Sequence, residues 1–112
     1  MSSYATQFDA APLLTAILEK TRAGKLKWDE TADENIFLVS VGGNTTLKVR
    51  SPSNEFYGDA YHTLSLLDEN GKLLWEIRDP QPLIGELFRL ARRIALKVDE
   101  RVEALMETLQ KL

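Results

Sequence analysis

The sequence predicts an α+β fold: a four- to five-stranded antiparallel β-meander flanked by a short N-terminal helix and a long C-terminal helix. Three observations predict it. Apolar residues recur at helical spacing near the N-terminus. They do so again through the last third of the chain. Between these stretches, alternating β-branched and aromatic runs are punctuated by Gly- and Asn-bearing turns, the pattern of consecutive hairpins.

Residues 1–8 read as a frayed arm. A helix then starts near Asp9, which can cap it, with Pro12 tolerated in the first turn. Leu14, Ile17, Leu18 and Thr21 follow the i, i+3, i+4, i+7 rule. Gly24 stands where a helix ends in the left-handed conformation, and Lys20 and Arg22 suit the negative end of the helix dipole.

The middle of the chain reads as strands over residues 35–41, 45–50, 61–67 and 72–78. A further short strand is allowed near residues 26–28. Gly42-Gly43-Asn44 and Asp68-Glu69-Asn70-Gly71 are the hairpin turns, and residues 51–59 are a loop. Alternation places Phe37, Val39, Val41, Leu47, Val49, Leu64, Leu66, Leu73, Trp75 and Ile77 on one face, the expected core. Ile36, Leu38, Tyr61, Thr63, Leu67 and Leu74 form the other face. It is too apolar to be fully solvated and is expected to meet the first helix or a second copy.

Asp79-Pro80-Gln81-Pro82 ends the sheet and primes a helix. No breaker follows Leu83, so residues 83–112 read as one helix about 45 Å long. Its stripe runs Ile84, Leu87, Ala91, Ile94, Val98, Val102, Leu105, Leu109 and Leu112. A domain of this size has a radius of gyration of only about 13 Å. The helix therefore outruns the sheet, and its last apolar residues need another cover.

The chain of 112 residues reads as a single domain, 1–112, with net charge −3. It holds no Cys and one His. That excludes thiol chemistry, zinc–thiolate sites and His-rich metal sites. The acidic balance disfavours nucleic acid as the main partner. No segment is apolar enough to span a membrane, and the N-terminus is not a signal peptide. The expected setting is the bacterial cytoplasm, where the Asn44-Thr45-Thr46 sequon is idle.

No chemical motif stands out. Gly42 to Lys48 lacks phosphate-loop spacing and is explained by its hairpin turn. His62 has no second His or Cys, and alternation puts it on the face opposite Ser65, so it reads as a half-buried structural residue. Asp29, Glu30, Asp33 and Glu34 lack the ligand order of a calcium loop and read as a solvated connection. Lys20, Arg22, Lys25 and Lys27 form a basic patch near Trp28 that could grip single-stranded nucleic acid, or could be a helix end with a core Trp. In the long helix, Arg89, Arg92, Arg93 and Lys97 precede Asp99, Glu100, Glu103 and Glu107, the reverse of what the helix dipole prefers. An antiparallel partner helix would match basic half to acidic half. Alternatively, Arg92 and Arg93 reach the acidic residues 29–34.

Thr21-x-x-Gly24-Lys25-x-x-Trp28, the Asp68-Glu69-Asn70-Gly71-Lys72 turn, and Leu87-Phe88-x-Leu90-Ala91-Arg92-Arg93-x-Ala95-Leu96-x-Val98-Asp99-Glu100 together resemble a family of small, functionally uncharacterised bacterial proteins. The chain departs from the resemblance at Phe88, where that family more often carries Tyr. The resemblance implies a cytoplasmic α+β domain and transfers no activity. The expected function is a non-catalytic protein-interaction module, homodimeric, with no enzyme activity, cofactor or metal. It would serve as an adaptor, as a chaperone similar to small acidic type III secretion chaperones (without their helix between strand pairs), or as an antidote or immunity protein. The expected contact residues are Arg92, Arg93, Lys97, Val102, Leu105, Leu109 and Leu112, through which the chain would self-associate or hold another protein. The alternative is a nucleic-acid-binding accessory protein using Lys20, Arg22, Lys25 and Lys27.

Overall fold

A computed structural model describes residues 10–52, 61–79 and 82–112, with the backbone alone at Asp79 and Pro82. The expected frayed arm, the Asp9 cap and most of the 51–59 loop lie outside these residues. The elements run α1 (Ala11–Arg22), β1 (Asp29–Glu30), β2 (Ile36–Val41), β3 (Thr45–Arg50), β4 (His62–Asp68), β5 (Leu73–Asp79), α2 (Pro82–Ala95) and α3 (Val98–Gln110). The five strands form one antiparallel sheet in the order β1-β2-β3-β4-β5, so the fold is α+β with a plain meander. The short first strand lies at Asp29–Glu30, just beyond the expected residues 26–28.

Register explains the core. Phe37 opposes Val49, Val49 opposes Leu64, and Leu64 opposes Ile77. Val39, Leu47, Leu66 and Trp75 form the adjacent row. Cross-strand rows of this kind make a continuous apolar surface on one face. α2 lies across that surface and touches all five strands. It buries Ile84, Leu87, Phe88 and Ala91 there.

α1 buries Leu14, Ile17, Leu18 and Thr21, the residues its periodicity selects. It ends in a Schellman motif: Lys25 N donates to Lys20 O at 2.9 Å and Gly24 N to Thr21 O at 3.1 Å. Gly24 has φ +75°, which a glycine adopts without a Cβ penalty. Its cap residue at the other end is Ala10, with no side-chain cap bond.

Three expectations need correction. First, α1 does not cover the second sheet face. It packs on α2, and its buried residues join the same core as Phe37 and Leu64. Ile36, Leu38 and Leu67 stay outside that core. Second, Leu73 and Val41 are not core. A β-bulge between Leu66 and Leu67 sets Leu73, not Leu74, opposite Leu67. The extra residue takes Leu73 out of the Trp75–Ile77 row, and both Leu73 and Leu74 are more than half exposed. Val41 ends β2 next to its turn and is exposed as well.

Third, residues 83–112 are not one helix. The helix stops after Ala95 and restarts at Val98. The break is Lys97, with φ 55° and ψ 46°, the one positive-φ non-glycine among the described residues. Lys97 N donates to Ile94 O, closing α2, while Lys97 O accepts from Arg101 N, opening α3. Arg101 Nε also caps Leu96 O at 2.9 Å, and Arg93 bridges to Asp99 at 2.8 Å. Neither Gly nor Pro announces this bend. A non-glycine residue in the left-handed region costs roughly 1–2 kcal/mol.

Lys97→Gly is therefore expected to stabilise the fold by up to about 1 kcal/mol. Lys97→Val, β-branched and ill-suited to positive φ, should destabilise it by about 1–2 kcal/mol. Thermal melts followed by circular dichroism read both, and equal melting temperatures for the two variants would contradict the bend.

Candidate functional site

α3 emerges from the body at Lys97 and touches α2 alone among the described elements. None of its 13 residues is buried. Val102, Leu105, Met106 and Leu109 are 50–55 % exposed and Leu112 is 95 % exposed. α3 draws the molecule out to 66 × 37 × 25 Å, with a radius of gyration of 16.2 Å. That exceeds the roughly 13 Å of a compact chain this long. The expected contact residues Val102, Leu105, Leu109 and Leu112 thus share one exposed stripe. Met106, four residues after Val102 and three before Leu109, belongs to the same exposed face by the i, i+3, i+4, i+7 rule, although it was not among the expected contact residues.

Val98, Val102, Leu105, Leu109 and Leu112 step by alternating fours and threes. With Met106 they make a one-sided apolar face, the pattern by which a helix packs on another surface. Glu100, Glu103 and Glu107 each precede a stripe residue by two positions. Two residues turn a helix through about 200°, so these acids occupy the opposite side. Asp99, Arg101 and Thr108 lie at the edges of the stripe.

The basic residues divide. A cleft of about 530 Å³ lies between the end of α1 and the α2–α3 junction. Arg22, Lys27, Arg93 and Lys97 line it around Leu26, Leu90 and Ile94, together with the acids Asp99 and Glu100. The two basic stretches, far apart in sequence, therefore meet in space. Arg22 is paired with Glu86, and Arg93 with Asp99. α1 and α2 both end here, so their negative dipole ends already favour these cations. Lys20 and Lys25 are exposed near the end of α1, outside the cleft lining. Trp28 is buried, and its Nε1 donates to Thr21 Oγ1 at 3.1 Å. It is a core residue and offers no stacking face.

Arg92 and Arg93 part company. Arg92 faces a second cleft of about 490 Å³ lined by Glu30, Glu34, Phe37 and Phe88. The acidic residues near β1 are exposed, and Asp33 Oδ1 accepts from Asn35 N at 2.9 Å in a local turn. Among the described residues no group of His, Cys, Asp and Glu could hold a metal ion. No helix among them is long and apolar enough to cross a membrane.

His62 is half-buried on the core side of β4. Its ring lies 5.5 Å from the Phe88 ring. It also lies against Gly85, where an added Cβ would sit 3.3 Å from the imidazole. Ser65 points away from it and donates to Glu76 Oε2 at 3.0 Å. Burial, then the nearby Arg89 guanidinium, hold the His62 pKa below its ordinary value.

The chain matches no family model, no curated protein and no solved structure.

The lowered His62 pKa makes a pH prediction. Below about 6.5 the unfolded chain takes up a proton on this ring that the folded chain resists. Protonation then favours the unfolded state, so stability falls as pH drops from 7.5 towards 5.5. His62→Gln should flatten this part of the profile. An equal loss of melting temperature in both proteins over that range would contradict the assignment.

Proposed function

We propose that this chain is a non-catalytic protein-interaction module that self-associates, with α3 as its docking element. One observation carries the reading: α3 is a 13-residue helix with no buried residue. An isolated helix of about 12–15 residues is marginal in water. Such a helix needs an outside surface to persist, and α3 presents an apolar stripe suited to one. Adaptor, chaperone-like and antidote roles are all variants of this reading, and a cytoplasmic setting accords with it.

Light scattering across micromolar concentrations should show a reversible dimer. Leu105→Asp combined with Leu109→Asp should leave a monomer, because charges replace the centre of the stripe. The melting temperature of the body should change little, since neither residue touches the core. A wild-type monomer throughout this range would overturn the reading.

A second reading has one observation in its favour, the convergence of Arg22, Lys27, Arg93 and Lys97 on one cleft. Four phosphate contacts to a single strand imply a log–log salt slope of about −3. Titration of a labelled oligothymidine at several salt concentrations checks this. Binding that is weak and insensitive to salt would dismiss it.

A further inference from the structure

We propose that the sheet face turned away from the helices carries an oxyanion site, formed by Arg50, Thr63 and Arg78 with Lys48 beside them, for a phosphate ion or a small phosphomonoester. The inference goes beyond the self-association reading and does not depend on it.

Register places the donors together. Leu64 is buried in the core, so its neighbours Thr63 and Ser65 point to the other face. Thr63 sits in the middle of one cross-strand row, opposite Arg50 of β3 and opposite Arg78 of β5. Neighbouring strands lie about 4.8 Å apart, so the two arginine backbones stand about 10 Å apart across Thr63. Two guanidiniums at that separation can close on one small group from both sides. Lys48, opposite Ser65, is the diagonal neighbour on β3. Neither Lys48 nor Arg50 has an ion pair among the described residues. The diagonal neighbour on β5 is the acid Glu76, whose Oε2 accepts from Ser65 Oγ at 3.0 Å. Three cations therefore surround Thr63 against one engaged acid.

The second observation is the hydroxyl itself. Thr63 is 2 % exposed, and its Oγ1 has no hydrogen-bond partner. It is the one such buried side-chain atom among the described residues. Valine would fill the same space without an unmet hydroxyl. The next residue on this face, Ser65, has its acceptor in Glu76. The cross-strand neighbours of Thr63 are arginines, which donate and never accept. An oxyanion supplies what this row lacks: it accepts the Thr63 proton and takes charge-assisted bonds from both guanidiniums. Phosphate has enough acceptor oxygens to meet donors from three directions at once. No described helix lies over this face, so the arginine side chains have room to turn onto the ion. Ile36 continues the row beyond Arg50 and offers an apolar place for the organic part of a monoester.

Nitrogen-15 NMR of the full chain, titrated at constant ionic strength with inorganic phosphate and separately with phenyl phosphate, tests the site. Residue-by-residue shifts are preferred to melting because phosphate stabilises folded proteins in general by its exclusion from their surfaces. The shifts should saturate on the order of 1 mM and centre on residues 48–50, 62–64 and 77–79. Thr63→Val should weaken binding about tenfold, as should Arg50→Gln. In phosphate-free buffer Thr63→Val should melt at or above the temperature of the natural chain, because no bond is lost. Equal binding of the two probes would assign the site to the free ion, and tighter binding of phenyl phosphate to a monoester. Shifts that grow without saturating, or an affinity unchanged in Thr63→Val, would show an adventitious ion only and overturn the site. A lowered melting temperature for Thr63→Val would mean that the hydroxyl already has a partner, which also overturns it.

Discussion

The packing of α2 across the sheet is the interaction on which the other elements depend. Ile84, Leu87, Phe88 and Ala91 bury against two cross-strand rows, and Phe88 sets its ring 5.4 Å from that of Phe37. α1 packs on α2, and α3 grows from its end. Five strands spaced about 4.8 Å apart span about 19 Å. The 14 residues of α2 span about 21 Å. The helix therefore reaches the sheet's far edge as its residues run out, and the bend at Lys97 falls where nothing remains to bury.

That geometric limit turns α3 into a surface rather than a part of the core. Its stripe continues the α2 periodicity, yet no strand lies beneath it. A continuation of the helix in line would expose the same residues. The bend instead presents them on a separate arm, braced by Arg93–Asp99 and by Arg101 on Leu96 O. Both contacts are solvent-facing, so each contributes little to stability, and they serve mainly to orient α3. The inverted charge order acquires a local explanation at the same place. Arg92 and Arg93 fall in the last turn of α2, and Asp99 and Glu100 in the first turn of α3. Once the helix is divided, each set sits at the dipole end that favours it.

Much of this architecture is legible in the residues alone, because periodicity reports burial directly. Leu14, Ile17, Leu18 and Thr21 identify the buried face of α1, and the Phe37 and Val39 rows follow from alternation. What stays hidden has specific physical causes. A lysine carries no signal for positive φ, so Lys97 reads as ordinary helix. A bulge of one residue reverses the sense of alternation at Leu73 without changing composition. The side of the sheet that α1 chooses depends on α2 offering it a surface, which is a tertiary matter. The convergence of Lys27 with Lys97 depends on where α1 and α2 end, and spacing along the chain does not encode it. The stripe of α3 is fully legible; its exposure is not, because exposure depends on the width of the sheet.

The core ends at Ala95, and the self-association we propose holds α3 against a second copy. Amide hydrogen exchange, measured by mass spectrometry at concentrations well below and well above the midpoint of self-association, tests it most directly. Residues 98–110 should exchange fast in dilute protein and become protected as concentration rises, while α2 and the central strands keep the same protection throughout. Protection of α3 that equals that of α2 at every concentration would show that it belongs to the monomer's own core and would contradict the account.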